Sequence, residues 1–293
     1  MKEVSDIVKV REQGRLGLTM SRLRQNKLAV AGLVIIALLV IVAIFAPLIA
    51  PNHPTRDYSL ADRLADPSSD YPLGRDELGR CILSRIMYGA RISLLIGFIV
   101  IGIGLAVGVP LGLVSGYYGG KVDFLIQRGV DTILAFPGIL LALMLVAILG
   151  VGLQNVMIAV GITTIPIYAR LVRGSVLSIR EEQFVEAARA VGGSDARIMF
   201  RHVLPNCLAP LIVQSTLHMA TAILWAAGLG FLGLGVQPPR AEWGAMLNGG
   251  RPYMRVAPHV AIFPGLAIFA TVLGFNLLGD GLRDALDPRL HRE

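Results

Sequence analysis

The stretch LAVAGLVIIALLVIVAIFAPLIA, residues Leu28–Ala50, contains no charged side chain. As an α-helix rising about 1.5 Å per residue, it is long enough to cross the roughly 30 Å apolar core of a bilayer. Its apolar run also exceeds the roughly 7–15 residues of a cleavable signal segment, and the long extension 1–27 precedes it. We therefore predict that Leu28–Ala50 is a retained first transmembrane helix.

Five further apolar segments predict five more transmembrane helices. None of them alternates with the period of two that a membrane β-strand needs. The composition agrees, with 54% hydrophobic and only 16% charged residues. We predict an all-α integral membrane protein with six transmembrane helices. The five segments are Ile92–Tyr117, Ile133–Leu149, Asn155–Ala169, Cys207–Leu229 and Val260–Leu278.

The basic residues indicate how this bundle is oriented. Two thirds of the 27 Lys and Arg residues fall in loops that share the side of the N-terminus. Because positively charged loops stay in the cytoplasm, both termini are predicted to be cytoplasmic. The net charge of +7 therefore follows from topology, with anionic membrane lipid as its partner, and does not indicate nucleic-acid binding.

The predicted spans leave no separate soluble domain. The segments are a cytoplasmic N-terminal segment 1–27, the first helix 28–50, an external loop 51–91, a core membrane domain 92–278 with five helices and the cytoplasmic loop 170–206, and a cytoplasmic tail 279–293. The stretch Asp76–Arg91 predicts a short amphipathic helix that leads into the second span. Its arginines, Arg80, Arg85 and Arg91, either reach lipid headgroups or form part of an outer docking rim.

Four glycines recur at every fourth position in the second span: Gly104, Gly108, Gly112 and Gly116. This spacing places them on one helix face. Lipid gives little hydrophobic drive between helices, so small residues that let two backbones approach closely favour association. We predict that this face packs against another helix.

A few polar residues remain within the spans. Gln214, His218 and Thr221 share one face of the fifth span, and Asn276 lies near the inner end of the sixth. Two interpretations stay open for this polar face: hydrogen bonds between helices, or the lining of a hydrated translocation path.

Several chemistries are missing from the sequence. The predicted span cores carry no Asp, Glu, Lys or Arg, although ion-coupled carriers commonly use such groups. There is no phosphate-binding loop, no catalytic motif and no metal-ligand spacing. We therefore predict no catalytic residue, no metal and no cofactor bound by this chain. An ion-coupled secondary carrier and a membrane scaffold remain alternatives.

The cytoplasmic loop 170–206 has the clearest local pattern. Ile179–Val191 predicts an amphipathic helix, and Gly192-Gly193 predicts its end, since glycine readily takes the left-handed conformation that follows a helix. Ser194 or Asp195 is placed to cap a second short helix that ends near Leu204-Pro205. One alternative is a surface helix that contacts only headgroups.

This loop resembles the cytoplasmic signature of ABC importer permeases, which reads Glu-Ala-Ala, three residues, Gly, nine residues and Ile-x-Leu-Pro. Here Glu186–Ala188 is followed by Gly192, and His202–Pro205 comes nine residues later. His202 replaces the usual isoleucine, and the run Arg201–Asn206 is similar to the variant of the peptide-transporting branch.

Other motifs resemble the same branch along the whole chain. The chain is similar to the dipeptide/oligopeptide/nickel permease family, in its second permease type. These motifs are Pro72–Arg80, Leu83–Arg85, Tyr88–Arg91, Gln237–Pro239, Glu242–Gly244 and Asp287–Leu290.

The resemblance implies the type I ABC importer permease architecture and its partners. These are a second homologous permease that forms a heterodimer with this chain, two cytoplasmic ABC ATPases that use ATP and Mg, and an external substrate-binding protein. It implies that Glu186, Ala187, Ala188 and Gly192 form the coupling helix that docks an ATPase, with Leu204 and Pro205 completing the signature. From charge alone we add Arg189, Arg197 and Arg201 as candidate ion-pair partners of the ATPase groove.

The cargo stays open at this point. The resemblance favours dipeptides or oligopeptides, with nickel or glutathione-like solutes as the alternative within the same family.

Overall fold

The structure is a computed structural model that describes residues 20–286, with residue 22 excepted. Most of the predicted segment 1–27, the motif Asp287–Leu290 and the end of the predicted tail lie outside the described residues. Within them the chain is helical and has no strand, which confirms the all-α prediction. The α-helices are α1 (Lys27–Ile49), α2 (Ile82–Tyr118), α3 (Gly120–Leu134), α4 (Gly138–Leu149), α5 (Leu153–Ile179), α6 (Gln183–Ala190), α7 (Asp195–Ile198), α8 (Leu208–Phe231), α9 (Trp243–Gly250) and α10 (His259–Leu286).

Five helical stretches are long and apolar enough to cross a membrane. They are α1, α2, α5, α10 and the stretch Asp195–Phe231 that ends in α8. The pair α3 and α4, which meet at an angle of 85°, is a sixth candidate if the two helices together form one broken span. The chain is therefore a multi-pass membrane protein, with up to six spans among the residues described.

The third predicted span, Ile133–Leu149, is not one continuous helix in the structure. The chain breaks between Leu134 and Gly138, and Pro137 lies at the start of α4. Proline has no N–H to donate and disfavours helical geometry in the residue before it, so α3 ends before it.

The fourth predicted span, Asn155–Ala169, is a longer helix in the structure. α5 continues to Ile179, so the first third of the predicted loop 170–206 is helical. The charged residues Arg170 and Arg173 led to the prediction of a loop in this region. In the structure these arginines bind carboxylates of α3, Asp131 and Asp123, each at 2.6 Å. These ion pairs join α5 to α3, and the exposed pair of Arg170 and Asp131 also keeps its contact with water.

The glycine face of α2 lies directly against α5. A Cβ atom added at Gly108 would stand 2.6 Å from the carbonyl oxygen of Ile165 and 2.7 Å from Cβ of Tyr168. One added at Gly112 would stand 2.8 Å from Cβ of Val172. Such distances are too short for carbon atoms, so these backbones approach as closely as they do only because the side chains are absent.

Contacts between loops divide the bundle into two ends. At one end the Asn26 amide donates to Asp284 at 3.4 Å, which brings together the start of α1 and the end of α10. At the other end the backbone N–H of Asn52 donates to Ser84 Oγ at 3.1 Å. This grouping agrees with the predicted topology, and we call the two ends inner and outer accordingly.

The outer end contains a buried charge cluster rather than an amphipathic helix over Asp76–Arg91. α2 begins only at Ile82, and Arg80 and Arg85 are both buried. Asp76 Oδ2 lies 2.7 Å from Nε of Arg80 and 3.2 Å from Nε of Arg85. One of the two interpretations was that these arginines reach toward lipid headgroups. For Arg80 and Arg85 that interpretation is wrong, because both side chains are buried.

α9 covers this cluster on the outer side. The indole N–H of Trp243 donates to the carbonyl oxygen of Ile86 at 3.1 Å. Glu242 caps α9 by accepting from the backbone N–H groups of Gly244 and Ala245, both at 2.8 Å. Burial raises the pKa of Glu242 even though these two N–H groups favour its charged form.

Candidate functional site

The inner end carries one compact feature between α5 and α8, residues 180–207, which we call the inner segment. It runs from a turn into α6, through the Gly192 turn into α7, and on into α8. α6 covers Gln183–Ala190 and is shorter than the predicted Ile179–Val191, because α5 takes Ile179 and the chain turns at Arg180–Glu182.

The second helix does not end near Leu204-Pro205, which corrects that prediction. A π-helical turn, Met199–Val203, and a 3-10 turn, Leu204–Cys207, join α7 to α8 without a break. Pro205 lies in the first residues of the 3-10 turn. The inner segment is therefore continuous with the fifth span.

The inner segment has a buried base. The side chains of Val185, Ile198 and Val203 are fully buried, and Met199 nearly so, in the core that includes Tyr117 of α2. Burial of each aliphatic side chain is worth roughly 1.5–3 kcal/mol, so this base fixes the segment to the bundle.

The opposite face is open. Val191 is 85% exposed and Phe200 is 64% exposed, although both are large and apolar. Ala188 and Leu204 are half-buried. The predicted docking residues Glu186, Ala187, Arg189, Gly192, Arg197, Arg201 and Pro205 are all exposed. These residues are therefore accessible to a partner at the inner end.

Gly192 makes the turn between α6 and α7. Its φ is +80°, a conformation that side chains with a Cβ rarely adopt. The N–H of Gly192 donates to the carbonyl of Arg189 at 2.9 Å and that of Gly193 to Ala188 at 3.0 Å, which ends α6. A Cβ at Gly192 would meet nothing within 4 Å, so the backbone conformation, not lack of space, requires glycine.

Three consecutive residues at the end of α2, Ser115, Gly116 and Tyr117, hold the surrounding elements. The sequence indicated only Gly116 among them, as a helix-packing residue, and not these polar contacts. The Tyr117 hydroxyl donates to Asp195 of α7 at 2.9 Å, and the Arg189 guanidinium lies 5.3 Å from the Tyr117 ring. The carbonyl of Gly116 accepts from Arg180 Nη1 at 2.9 Å. Ser115 bonds to Asp123 and Gln127 of α3. The inner segment is thus fixed to α2 by side chains as well as by its core.

We expect Tyr117→Phe to weaken the link between the inner segment and α2 without unfolding the protein. The change removes one hydrogen bond, worth about 0.5–1.5 kcal/mol, so uptake per ATP hydrolysed should fall up to about tenfold. Tyr118→Phe is the matched control, because Tyr118 is 52% exposed. Asp195→Asn keeps an acceptor for the hydroxyl and should act like wild type, whereas equal behaviour of Tyr117→Phe and Tyr118→Phe would contradict the link.

The polar face on α8 is only partly gathered into a site. Gln214, His218 and Thr221 are half-buried on one side of α8, but Asn276 is exposed on α10. Two residues outside the predicted set belong to this region: the Tyr168 hydroxyl donates to Ser215 Oγ at 3.2 Å, and the Tyr168 ring lies 5.9 Å from the His218 ring.

A polytopic bundle with an exposed helical turn at its inner end is the geometry of a transport permease that works with a separate protein. The chain belongs to the family described as the binding-protein-dependent transport system inner membrane component, which matches residues 108–292. Residues 15–67 also match the N-terminal transmembrane domain of oligopeptide transport permease C.

Curated relatives agree with this membership. The chain is 52% identical to the dipeptide transport system permease protein of Alkalihalophilus pseudofirmus, over 92% of this chain and 88% of that protein. It is 51% identical to the glutathione transport system permease protein of Pectobacterium atrosepticum, over 92% and 89%. The chain is therefore a non-catalytic permease subunit of an ABC importer, and the secondary-carrier and scaffold alternatives no longer stand.

Solved structures share the fold. An inward-facing methionine ABC transporter matches with a TM-score of 0.56 and 22% identity, over 69% of this chain and 96% of that chain. An amino acid ABC transporter matches with a TM-score of 0.51 and 16% identity, over 67% and 91%. Membership in this family implies partner ATPases and an external binding protein.

Proposed function

We propose that this subunit forms half of the path of an importer for dipeptides or oligopeptides, together with a second homologous permease. Its dipeptide-transporting and glutathione-transporting relatives support a small peptidic cargo. Glutathione-like solutes are the second candidate, because glutathione is itself a tripeptide analogue.

We further propose that the exposed surface of the inner segment docks one cytoplasmic ATPase. The observation that carries this proposal is the exposure of two large apolar side chains on a segment whose base is buried: Val191 at the Gly192 turn and Phe200 in the following π-helical turn. Large apolar side chains left exposed beside charged ones are typical of a surface that a protein partner covers. Arg189, Arg197 and Arg201 are exposed on the same segment and give it positive charge.

In this proposal the permease changes conformation because its contacts with the ATPases differ between two states. ATP binding can shift the permease between two states only if the ATPases contact it differently in each state. The inner segment continues into α8 and is fixed to α2, so a displacement of its exposed turn acts on two spans at once.

Reconstitution tests the whole proposal. Liposomes that contain this chain, the second permease, two ATPases and the binding protein of the same importer should accumulate labelled trialanine when ATP is supplied. Omission of any one component should abolish accumulation, and an ion gradient should not replace ATP. Uptake by this chain alone would contradict the proposal.

The polar face of α8 is proposed to line the path. We expect cysteines at Gln214 and His218, in a chain without its native Cys81 and Cys207, to react with a water-soluble thiol reagent during turnover. Leu224 of the same helix is 50% exposed and apolar, so a cysteine there should face lipid and stay unreactive. Protection of positions 214 and 218 in every state, with and without ATP, would favour hydrogen bonding between helices instead.

A further inference from the structure

A cavity of about 140 Å³ lies at the outer end, between the loop that precedes α2 and the region that joins α8 to α9. Its charged lining residues are Glu77, Arg80, Arg85 and Arg240. Since about 10–15 Å³ suffices for one water molecule, the cavity has room for a small solute group. ATPase docking at the inner end makes no use of it.

Arginines outnumber carboxylates among the residues that line this cavity. Three guanidinium groups and the carboxylate of Glu77 line it, among the residues described. Asp76 lies behind the lining, and the buried carboxylate of Glu242 accepts from the N–H of Ala245 in the wall, at 2.8 Å. Arg80 is fully engaged, with Nε on Asp76 at 2.7 Å and Nη2 on Glu77 at 2.9 Å. Arg85 must share Asp76 with Arg80, and its buried Nε has no aligned hydrogen-bond acceptor.

Arg240 is the lining arginine that is available to a ligand. It is exposed and forms no ion pair with any acidic side chain of the described part of the chain. The exposed amide of Asn248 lines the same cavity as a further donor. Glycines form part of the wall, and a Cβ at Gly249 would stand 3.0 Å from the carboxylate of Glu77, so side chains there would fill the space.

Arg240 also borders a second, wider depression of about 460 Å³, lined by Leu95 and by residues between Val151 and Met157. The guanidinium thus stands on the wall between a cavity with several charged lining residues and a wider one in which Arg240 is the one charged lining residue. A ligand with one carboxylate and a longer body matches this pair of spaces.

We propose that the charged cavity binds the terminal carboxylate of the peptide cargo as it enters the permease from the outer side, with Arg240 as its principal donor. The planar fork of a guanidinium matches a carboxylate in two parallel hydrogen bonds. The site rests on the proposed peptide cargo and adds a requirement to it: the permease itself favours solutes with a free carboxylate.

Uptake of trialanine and of trialanine amide, which lacks the terminal charge, tests the site in the reconstituted importer. The binding protein also prefers one of the two peptides over the other. The same binding protein is present in every preparation, so its preference cancels when the acid-to-amide ratio of uptake is compared between permease variants. In Arg240→Gln we expect this ratio to fall about threefold to tenfold, as for a partly exposed charge-assisted hydrogen bond. Arg255→Gln removes an exposed outer arginine that does not line the cavity and should leave the ratio unchanged.

Each other result has a distinct meaning. An unchanged ratio in Arg240→Gln, with normal uptake, would overturn the site while the proposed function stands. An equal fall for acid and amide would also overturn it, because the arginine would then serve a carboxylate of the binding protein or the fold. If wild type accumulates neither peptide, the peptide cargo itself fails and the site fails with it.

Discussion

Gly192→Asp and Glu186→Lys are each expected to lower ATP-driven uptake more than tenfold while the subunit remains in the membrane. Gly192 has a φ of +80°, and a residue with a Cβ costs roughly 1–2 kcal/mol in that conformation. Relaxing this strain would reshape the turn that presents Val191, and the aspartate adds a negative charge to the proposed docking surface. Glu186→Lys reverses an exposed charge on the same surface. A loss of about 1.4 kcal/mol in coupling corresponds to a tenfold loss.

A matched pair of alanine variants separates turn geometry from the mere loss of glycine. Gly192 and Gly174 both have open space around an added Cβ, but only Gly192 has a positive φ. Gly192→Ala should therefore impair uptake and the co-purification of the ATPases, whereas Gly174→Ala, within α5, should behave like wild type. Normal co-purification and normal binding-protein-stimulated hydrolysis in Gly192→Asp and Glu186→Lys would refute the docking role.

Leucine at Gly108 and Gly112 together is expected to remove folded permease from the membrane. Both glycines face α5, where an added Cβ would approach the Ile165 carbonyl oxygen to 2.6 Å and Val172 Cβ to 2.8 Å. The nearest atoms include backbone and Cβ atoms, which do not rotate away, so α2 and α5 would have to separate. Overpacking usually costs about 1–3 kcal/mol per site, and two sites on one interface approach the whole stability of a domain.

The same helix offers the control. Gly102 lies on the exposed side of α2, and a Cβ there would meet nothing within 4 Å. Gly102→Leu should leave the amount of folded subunit unchanged, as measured by fluorescence size-exclusion chromatography in detergent. If the double variant at Gly108 and Gly112 elutes as wild type does and still transports trialanine, close contact along this face is not required.

The parts of the fold that could be predicted from the sequence are those that depend on neighbouring residues. The apolar lengths of the spans, the four-residue glycine period of α2 and the turn at Gly192 all lie within short stretches of chain. Each reflects a rule that acts on neighbouring residues: bilayer thickness, helix periodicity and the conformational freedom of glycine.

The parts that were wrong or missed depend on distant partners. Arg170 and Arg173 read as loop residues until Asp131 and Asp123 of α3 are seen to bind them. Tyr117 carries no local signal at all, since its partner Asp195 lies 78 residues away.

The break between α3 and α4 has a local signal in the sequence, Pro137, but that signal fits two structures. Pro137 is compatible with both a kinked span and a broken one, because membrane helices tolerate proline when neighbouring groups satisfy the freed backbone. Only the 85° angle between α3 and α4 decides between them.

The central claim is that an ATPase contacts this subunit at the exposed turn of the inner segment. Photo-cross-linking from benzoylphenylalanine at Val191 tests it most directly, with Val256 at the outer end as the control, since these side chains are 85% and 74% exposed. In membranes that contain the whole importer, position 191 should capture a protein with a phosphate-binding loop, identified by mass spectrometry, and position 256 should not. Absence of that adduct at position 191, or its equal formation at both positions, would contradict the account.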